Sequence, residues 1–146
     1  MSLKCLLFRS KCRHLGFSKN EVFVVDNGLH RVFIIDEEGA SVFGGAGDKL
    51  GQFNNPAEFA FDDSGNSIIV DSKNNRLQLV DANQNPYPVK VSITLGHLLY
   101  SLLTSHFSIQ VDHQLVKPFG IHYDKANSEL YVSNIGENTV VCFKLS

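Results

Sequence analysis

Asp26 and Asp71 each stand five positions before an arginine, Arg31 and Arg76. A carboxylate and a guanidinium at such a spacing could form an ion pair or take part in acid/base chemistry. Asn134 and Thr139 repeat the spacing with neutral residues. A reaction centre is not built three times over, so the recurrence predicts a structural role. Each polar residue is expected to accept backbone N–H bonds from the loop that follows it, and in the charged copies to face the arginine across the loop mouth. His30, Lys73, Asn74 and Asn75 lie in those loops and are the candidate surface contacts.

Other chemistry-bearing residues lack the company they would need. His122 and Tyr123 follow Pro118 closely, but His97, His106 and His113 show no metal-ligand spacing. Cys5, Cys12 and Cys142 form no CxxC pair and no even disulfide set. Gly44-Gly45-Ala46-Gly47 lacks the Lys-Ser/Thr and the helix of a phosphate loop. No GxSxG and no Cys/His pairing occurs. The expectation is a protein with no catalytic residues, no metal and no cofactor.

The elements that position these residues repeat as well. Glu21–Asp26 and Arg31–Asp36, Asn66–Asp71 and Arg76–Asp81, and Glu129–Asn134 and Thr139–Phe143 are short β-branched and aromatic runs. A Gly/Asn-rich connection joins each pair, which reads as a hairpin. Pro56 and Pro118 each open a further alternating run that ends in an Asp-containing turn before the hairpin. Asp26 and Asp71 are 45 residues apart, room for about four short strands. Four strands at a period in the forties predict propeller blades, and no helical periodicity competes. The fold class expected is all-β, a partial β-propeller of about three blades. Phe23, Phe33, Phe43, Phe53, Phe59, Phe61, Tyr131 and Phe143 then fall at inter-blade core positions.

Gly51-Gln52-Phe53-Asn54-Asn55-Pro56, Ser64-Gly65-Asn66 and Val70-Asp71-Ser72-Lys73-Asn74-Asn75-Arg76-Leu77-Gln78 resemble the NHL repeat, as does Leu29-His30-Arg31-Val32. The resemblance covers roughly residues 17–86 and 116–146, and the third copy departs from the pattern at Asn134 and Thr139. It implies blades of a six-bladed propeller, as in tripartite-motif ubiquitin ligases and their RNA-binding kin, where the propeller binds RNA or protein. No RING, B-box or coiled coil is encoded, so a ligase role is not implied by these residues. Related propellers include a zinc-dependent amidating lyase whose histidines directly follow the equivalent prolines. Ala57 and Phe119 stand there in this chain and argue against that zinc site.

The chain of 146 residues divides into an atypical basic segment (1–16), two repeats (17–90), an insert (91–110) and a third repeat (111–146). Asp71 and Asn134 are 63 residues apart, and removal of the 20 residues 91–110 restores a blade-like step. The insert reads as a long loop, as an uncharged membrane-length run, or as a retained intron, since Val91-Ser92 and Gln110 fit splice-site codons. Its two His and several Ser and Thr disfavour the span. The first 20 residues hold five basic side chains and no acid, but little of the Ser and Ala of a transit peptide. The remainder holds eight basic and fifteen acidic residues, a net charge of −7. That balance disfavours a phosphate-binding stripe. The function expected is a non-catalytic binding platform in the cytoplasm. Protein is the favoured partner and RNA the alternative, with neither DNA nor a membrane involved. A hydrolase or lyase on the same fold is the rival class. Three blades leave two sheet faces uncovered, so closure needs further blades or self-association.

Overall fold

A computed structural model describes residues 11–18, 20–81, 86–87, 91–92 and 115–145. Every strand pairing is antiparallel, and the described strands form three four-stranded sheets. The first sheet runs β1 (Cys12–Ser18), β2 (Glu21–Asp26), β3 (Arg31–Ile35) and β4 (Ala40–Gly44) in spatial order. The second runs β5 (Pro56–Phe61), β6 (Ser67–Asp71), β7 (Arg76–Val80) and β8 (Pro86–Tyr87). The third is ordered β10 (Pro118–Asp124), β11 (Glu129–Asn134), β12 (Thr139–Leu145) and β9 (Val91–Ser92). The first strands of the sheets, β1, β5 and β10, lie beside one another, and the sheets fan away from them. This is the all-β, blade-by-blade arrangement of a partial propeller, as the repeat predicts.

The turns follow from local side-chain chemistry. Asp62 Oδ1 accepts the Ser64 and Asn66 N–H groups, both at 2.9 Å, and so closes the β5–β6 hairpin. Asp124 does the same for β10–β11 by accepting from Ala126 N–H at 2.9 Å and Asn127 Nδ2 at 2.8 Å. A short carboxylate mimics a backbone turn in this way. Gly44 sits at φ +94°, and a Cβ there would lie 2.5 Å from the buried Phe53 ring. Only glycine lets that ring seat between the first two sheets.

Packing explains why the strands read as they do. β6 is buried on both faces, Ser67 to Asp71, because it lies in the middle sheet of the stack. A doubly covered strand is selected as a continuous apolar run, here Ile68-Ile69-Val70. Phe59, Ile69 and Val80 pack back onto Val25, Val32 and Ile34 of the first sheet. Ile68, Val70 and Leu77 pack forward onto Leu130, Val132 and Phe143 of the third.

Two expected boundaries need correction. Residues 1–16 are not wholly outside the blades, since Cys12–Ser18 forms β1 and pairs with β2. The exposed backbone groups of β2 accept a strand without a leading proline, because pairing needs only N–H and C=O. Val91–Ser92, expected to open the insert, pairs with Leu145 and Lys144 at the edge of the third sheet. Residues 1–10 and 93–114, with His97, His106 and His113, lie outside the described residues, and so do the competing readings of the insert.

Leu130 fills the seam between the second and third sheets, whereas Val140 is exposed. Leu130→Ala should therefore cost about 2–5 kcal/mol and Val140→Ala about 0.5 kcal/mol or less, read from urea unfolding followed by circular dichroism.

Candidate binding site

The repeated polar residues close off β2, β6 and β11, and all three are buried. Asp26 Oδ1 accepts the N–H groups of Gly28 (3.1 Å) and Leu29 (3.0 Å), both in the following loop, and of Lys11 (3.2 Å). Asp71 Oδ1 accepts from Asn54 N–H at 2.6 Å, and Asn134 Oδ1 from Val116 N–H at 2.6 Å. Lys11, Asn54 and Val116 each precede the first strand of their own sheet. The side chain that ends the second strand thus anchors the lead-in to the first.

Asp71 is the fully developed case. Its Oδ2 accepts from Arg76 Nε (2.8 Å), Asn74 Nδ2 (2.8 Å) and Gln78 Nε2 (3.1 Å). Arg76 then donates its outer nitrogens to the carbonyls of Asp48 (2.6 Å), Lys49 (2.8 Å) and Gln52 (2.9 Å). The guanidinium clamps the connection between the first two sheets through main-chain acceptors. Arg31 is looser: its Nε lies 3.9 Å from Asp26 Oδ2, too long for a hydrogen bond, and its Cζ stands 4.6 Å from the Phe33 ring centre. Asn134 and Thr139 face each other as cross-strand partners, without a charge pair.

The loop residues expected to meet a partner are mostly committed elsewhere. His30 and Asn75 occupy the same place in successive loops, both left-handed, at φ 57° and 55°. His30 Nδ1 accepts the N–H of Asn55 at 2.9 Å, and Asn75 Oδ1 accepts the N–H of Lys117 at 2.9 Å. Asn55 and Lys117 immediately precede Pro56 and Pro118, so each side chain staples its blade to the next. His30 is therefore not a solvated loop residue, because a left-handed turn aims its ring at the neighbouring blade. Asn74 Nδ2 likewise donates to Gly47 O at 2.8 Å. Of the four candidate contacts, Lys73 alone combines an exposed side chain with no such bond.

A second constellation emerges along the innermost strands. Leu15, Phe59 and Ile121 pair with Val24, Ile69 and Val132, which sit two residues before the repeated polar residue. The positions just before them are His14, Glu58 and Gly120. His14 Nδ1 lies 3.2 Å from Glu58 Oε1, while Glu58 Oε2 accepts the Ile121 N–H at 3.0 Å. The carboxylate thereby bridges all three inner strands. A Cβ on Gly120 would crowd Ser133 Oγ at 3.1 Å and Glu58 Oε2 at 3.3 Å. The His14 ring meets Phe59 edge-on, with centroids 4.8 Å apart.

These strands line an open cavity of about 700 Å³ whose wall includes His14, Glu58, Asp63, His122, Tyr123 and Lys125. The Tyr123 hydroxyl donates to Asp63 Oδ2 at 2.8 Å, and this bond, with burial, pushes the phenol pKa above its ordinary value. His14 and Glu58 place an imidazole and a carboxylate side by side on this wall. The wall therefore offers mixed hydrogen-bond donors and acceptors over aromatic surface. Among the described residues, no three His, Cys, Asp or Glu side chains converge as a metal site would require. Pro56 and Pro118 pair with Asp71 and Asn134 at the start of the strands lining the cavity. Sequence reasoning missed His14 and Glu58 because Cys12 stands in β1 where Pro56 and Pro118 open β5 and β10, so no proline marks the equivalent position. Alignment on strand partners, not on the prolines, would have found them.

No family model and no curated protein sequence matches the chain. Solved structures do. A Bacteroides thetaiotaomicron protein of unknown function is similar over 86% of this chain and 32% of its own, with 17% identity and a TM-score of 0.61. A catalytically inactive virginiamycin B lyase from Staphylococcus aureus, solved with quinupristin, is similar over 93% of this chain and 42% of its own, at 13% identity and a TM-score of 0.53. The likeness shows a shared propeller-like fold. The chain spans less than half the length of either solved chain.

Three predictions follow from this geometry. Asp71→Ala removes a buried carboxylate and strips the partly buried Arg76 guanidinium of its partner, and should destabilise by about 3–5 kcal/mol in urea unfolding. Asn75→Gly keeps the left-handed turn but loses the staple, at about 0.5–1.5 kcal/mol, and Asn75→Ala should cost about 1 kcal/mol more. The Tyr131 hydroxyl donates to Glu129 Oε2 at 2.7 Å, which pushes its pKa up to about 12. A raised phenol pKa means this bond contributes fully below the ordinary value of 10.0 and is lost as pH rises through about 12. Glu129→Gln should lower the phenol's titration point in ultraviolet absorbance.

Proposed function

We propose that the chain is a run of NHL-type blades that serves as a non-catalytic binding platform for protein in the cytoplasm. One observation carries this reading: the Asp71–Arg76 pair is committed to anchoring the connection between the first two sheets. Asp71 and Arg76 leave little capacity for a reaction, since both are saturated by neighbours. The cavity along the inner strands supplies the recognition surface, with mixed donors and acceptors and aromatic walls. Such surfaces suit an extended peptide. The free, exposed thiol of Cys142 suits a reducing compartment.

RNA is the weaker reading, because residues 21–146 carry a net charge of −7 and RNA affinity rests on clustered Lys and Arg. A lyase or hydrolase remains the rival class. The His14–Glu58 pair beside the cavity favours it, as an oriented imidazole is what proton transfer needs.

A displayed random-peptide library selected on the purified chain tests the reading. Binders are expected, and Glu58→Ala should weaken them at least about tenfold, the scale of one charged hydrogen bond, with Lys144→Ala neutral. Tight binding of single-stranded RNA that falls steeply with salt, and is lost in a Lys73→Glu, Lys125→Glu double variant, would replace protein by RNA. Arg76 is unsuitable for such a charge reversal, since it is part of the framework. Stoichiometric zinc or calcium in the purified protein would favour the enzyme.

A further inference from the structure

The three inner strands each bring one aromatic ring to the same level of the cavity wall. Phe17, Phe61 and Tyr123 pair with Val22, Ser67 and Leu130, which stand four residues before Asp26, Asp71 and Asn134. All three rings line the cavity, as does Phe59. Phe59 and Phe61 meet edge to face, with centroids 5.3 Å apart. An aromatic ring has a negative face and a positive edge, so such a wall offers more than apolar area. A cation over a ring face is attracted to it.

The charges on the same wall are unbalanced. Glu58, Asp62 and Asp63 are carboxylates, and Lys125 is the one Lys or Arg among the described lining residues. His14 and His122, also on the wall, add positive charge only when protonated. Asp62 commits its oxygens to the β5–β6 turn, where it accepts from Ser64 N–H, Asn66 N–H and Asn66 Nδ2, yet it keeps its charge. Asp63, the next residue, is exposed and reaches the Tyr123 hydroxyl with Oδ2. Beyond that hydrogen bond and burial, the charges of Asp63 and Asp62 push the Tyr123 phenol pKa further up. A phenol that resists becoming an anion beside two carboxylates marks a locally negative potential.

The rings and the charges point independently to one kind of occupant. Resting on the reading of this cavity as a recognition surface, we infer that it takes the cationic side chain of a lysine or arginine from an extended segment of the protein partner. The ammonium or guanidinium stands over the aromatic wall, and Asp63 supplies a carboxylate for it. An acidic side chain would meet three like charges there, and an apolar one would gain nothing from them. Lys125 opposes the incoming cation and limits how tightly it is held.

Peptides selected from a displayed random library on the purified chain carry the test. The binders are expected to hold Lys or Arg at one fixed position. In fluorescence anisotropy with synthetic copies of them, norleucine at that position should weaken binding at least about tenfold. Asp63→Asn, which keeps an oxygen for Tyr123, should weaken it about two- to fivefold, and Lys125→Ala should tighten it by about the same factor. Both residues are exposed, and damage to the fold would not produce the tightening. Binders without a fixed cation, a norleucine copy that binds as well, unchanged affinity in Asp63→Asn, or weaker binding in Lys125→Ala would overturn the inference. The platform reading would survive any of these results so long as Glu58→Ala still weakens the binders. A selection that yields no binder at all would sink both.

Discussion

The architecture depends on a buried polar atom that must be satisfied. Asp26, Asp71 and Asn134 each sit at the end of a second strand, out of reach of water. An unpaired carboxylate or amide there would cost several kcal/mol, on the order of what a small domain has in total. In each, Oδ1 accepts the N–H of a residue that leads into the first strand of its sheet, while Asp26 Oδ2 has no hydrogen bond and only the Arg31 guanidinium 3.9 Å away. That bond fixes where the first strand begins, and hence which of its residues face the central cavity. The position of Glu58, and its reach to both His14 and Ile121, follows from that choice of register.

The three copies solve the same problem with different strength. The middle copy adds Arg76 and Gln78, which tie the carboxylate to the connection before it. The first copy keeps the arginine but not the contact, and the guanidinium rests against Phe33. The third drops both charges and keeps the one bond that sets register. An amide suffices for that bond, because only one acceptor oxygen is used. The gradation ranks these interactions: anchoring the lead-in is indispensable, and the charged clamp is an addition.

Much of the fold was legible in the residues themselves. The hairpins, the Asp-centred turns and the blade period all rest on local chemistry, and local chemistry is what a single sequence records. Ile68-Ile69-Val70 is a continuous apolar run, but its cover on both faces emerges only from the stacking of the sheets. β1 was not legible, because it lacks the proline that opens β5 and β10 and carries polar Arg13 and His14 early in its run. The candidate site was harder still. His30 and Asn75 looked like loop side chains available to a partner, and only the placement of the next blade reveals the N–H each one meets. His14 and Glu58 are 44 residues apart and become neighbours only when adjacent blades are stacked in register.

The staples recognise main chain, and this bears on how such arrays change over time. His30 and Asn75 accept from backbone N–H groups, so the identity of the receiving residue is immaterial; it is Asn55 at one seam and Lys117 at the other. A duplicated or transplanted blade would be gripped by its predecessor without any matching substitution in the side chain it receives. Joints of this kind let a repeat array lengthen, shorten or exchange units by recombination, while the loops and cavity walls diverge in sequence at their own pace.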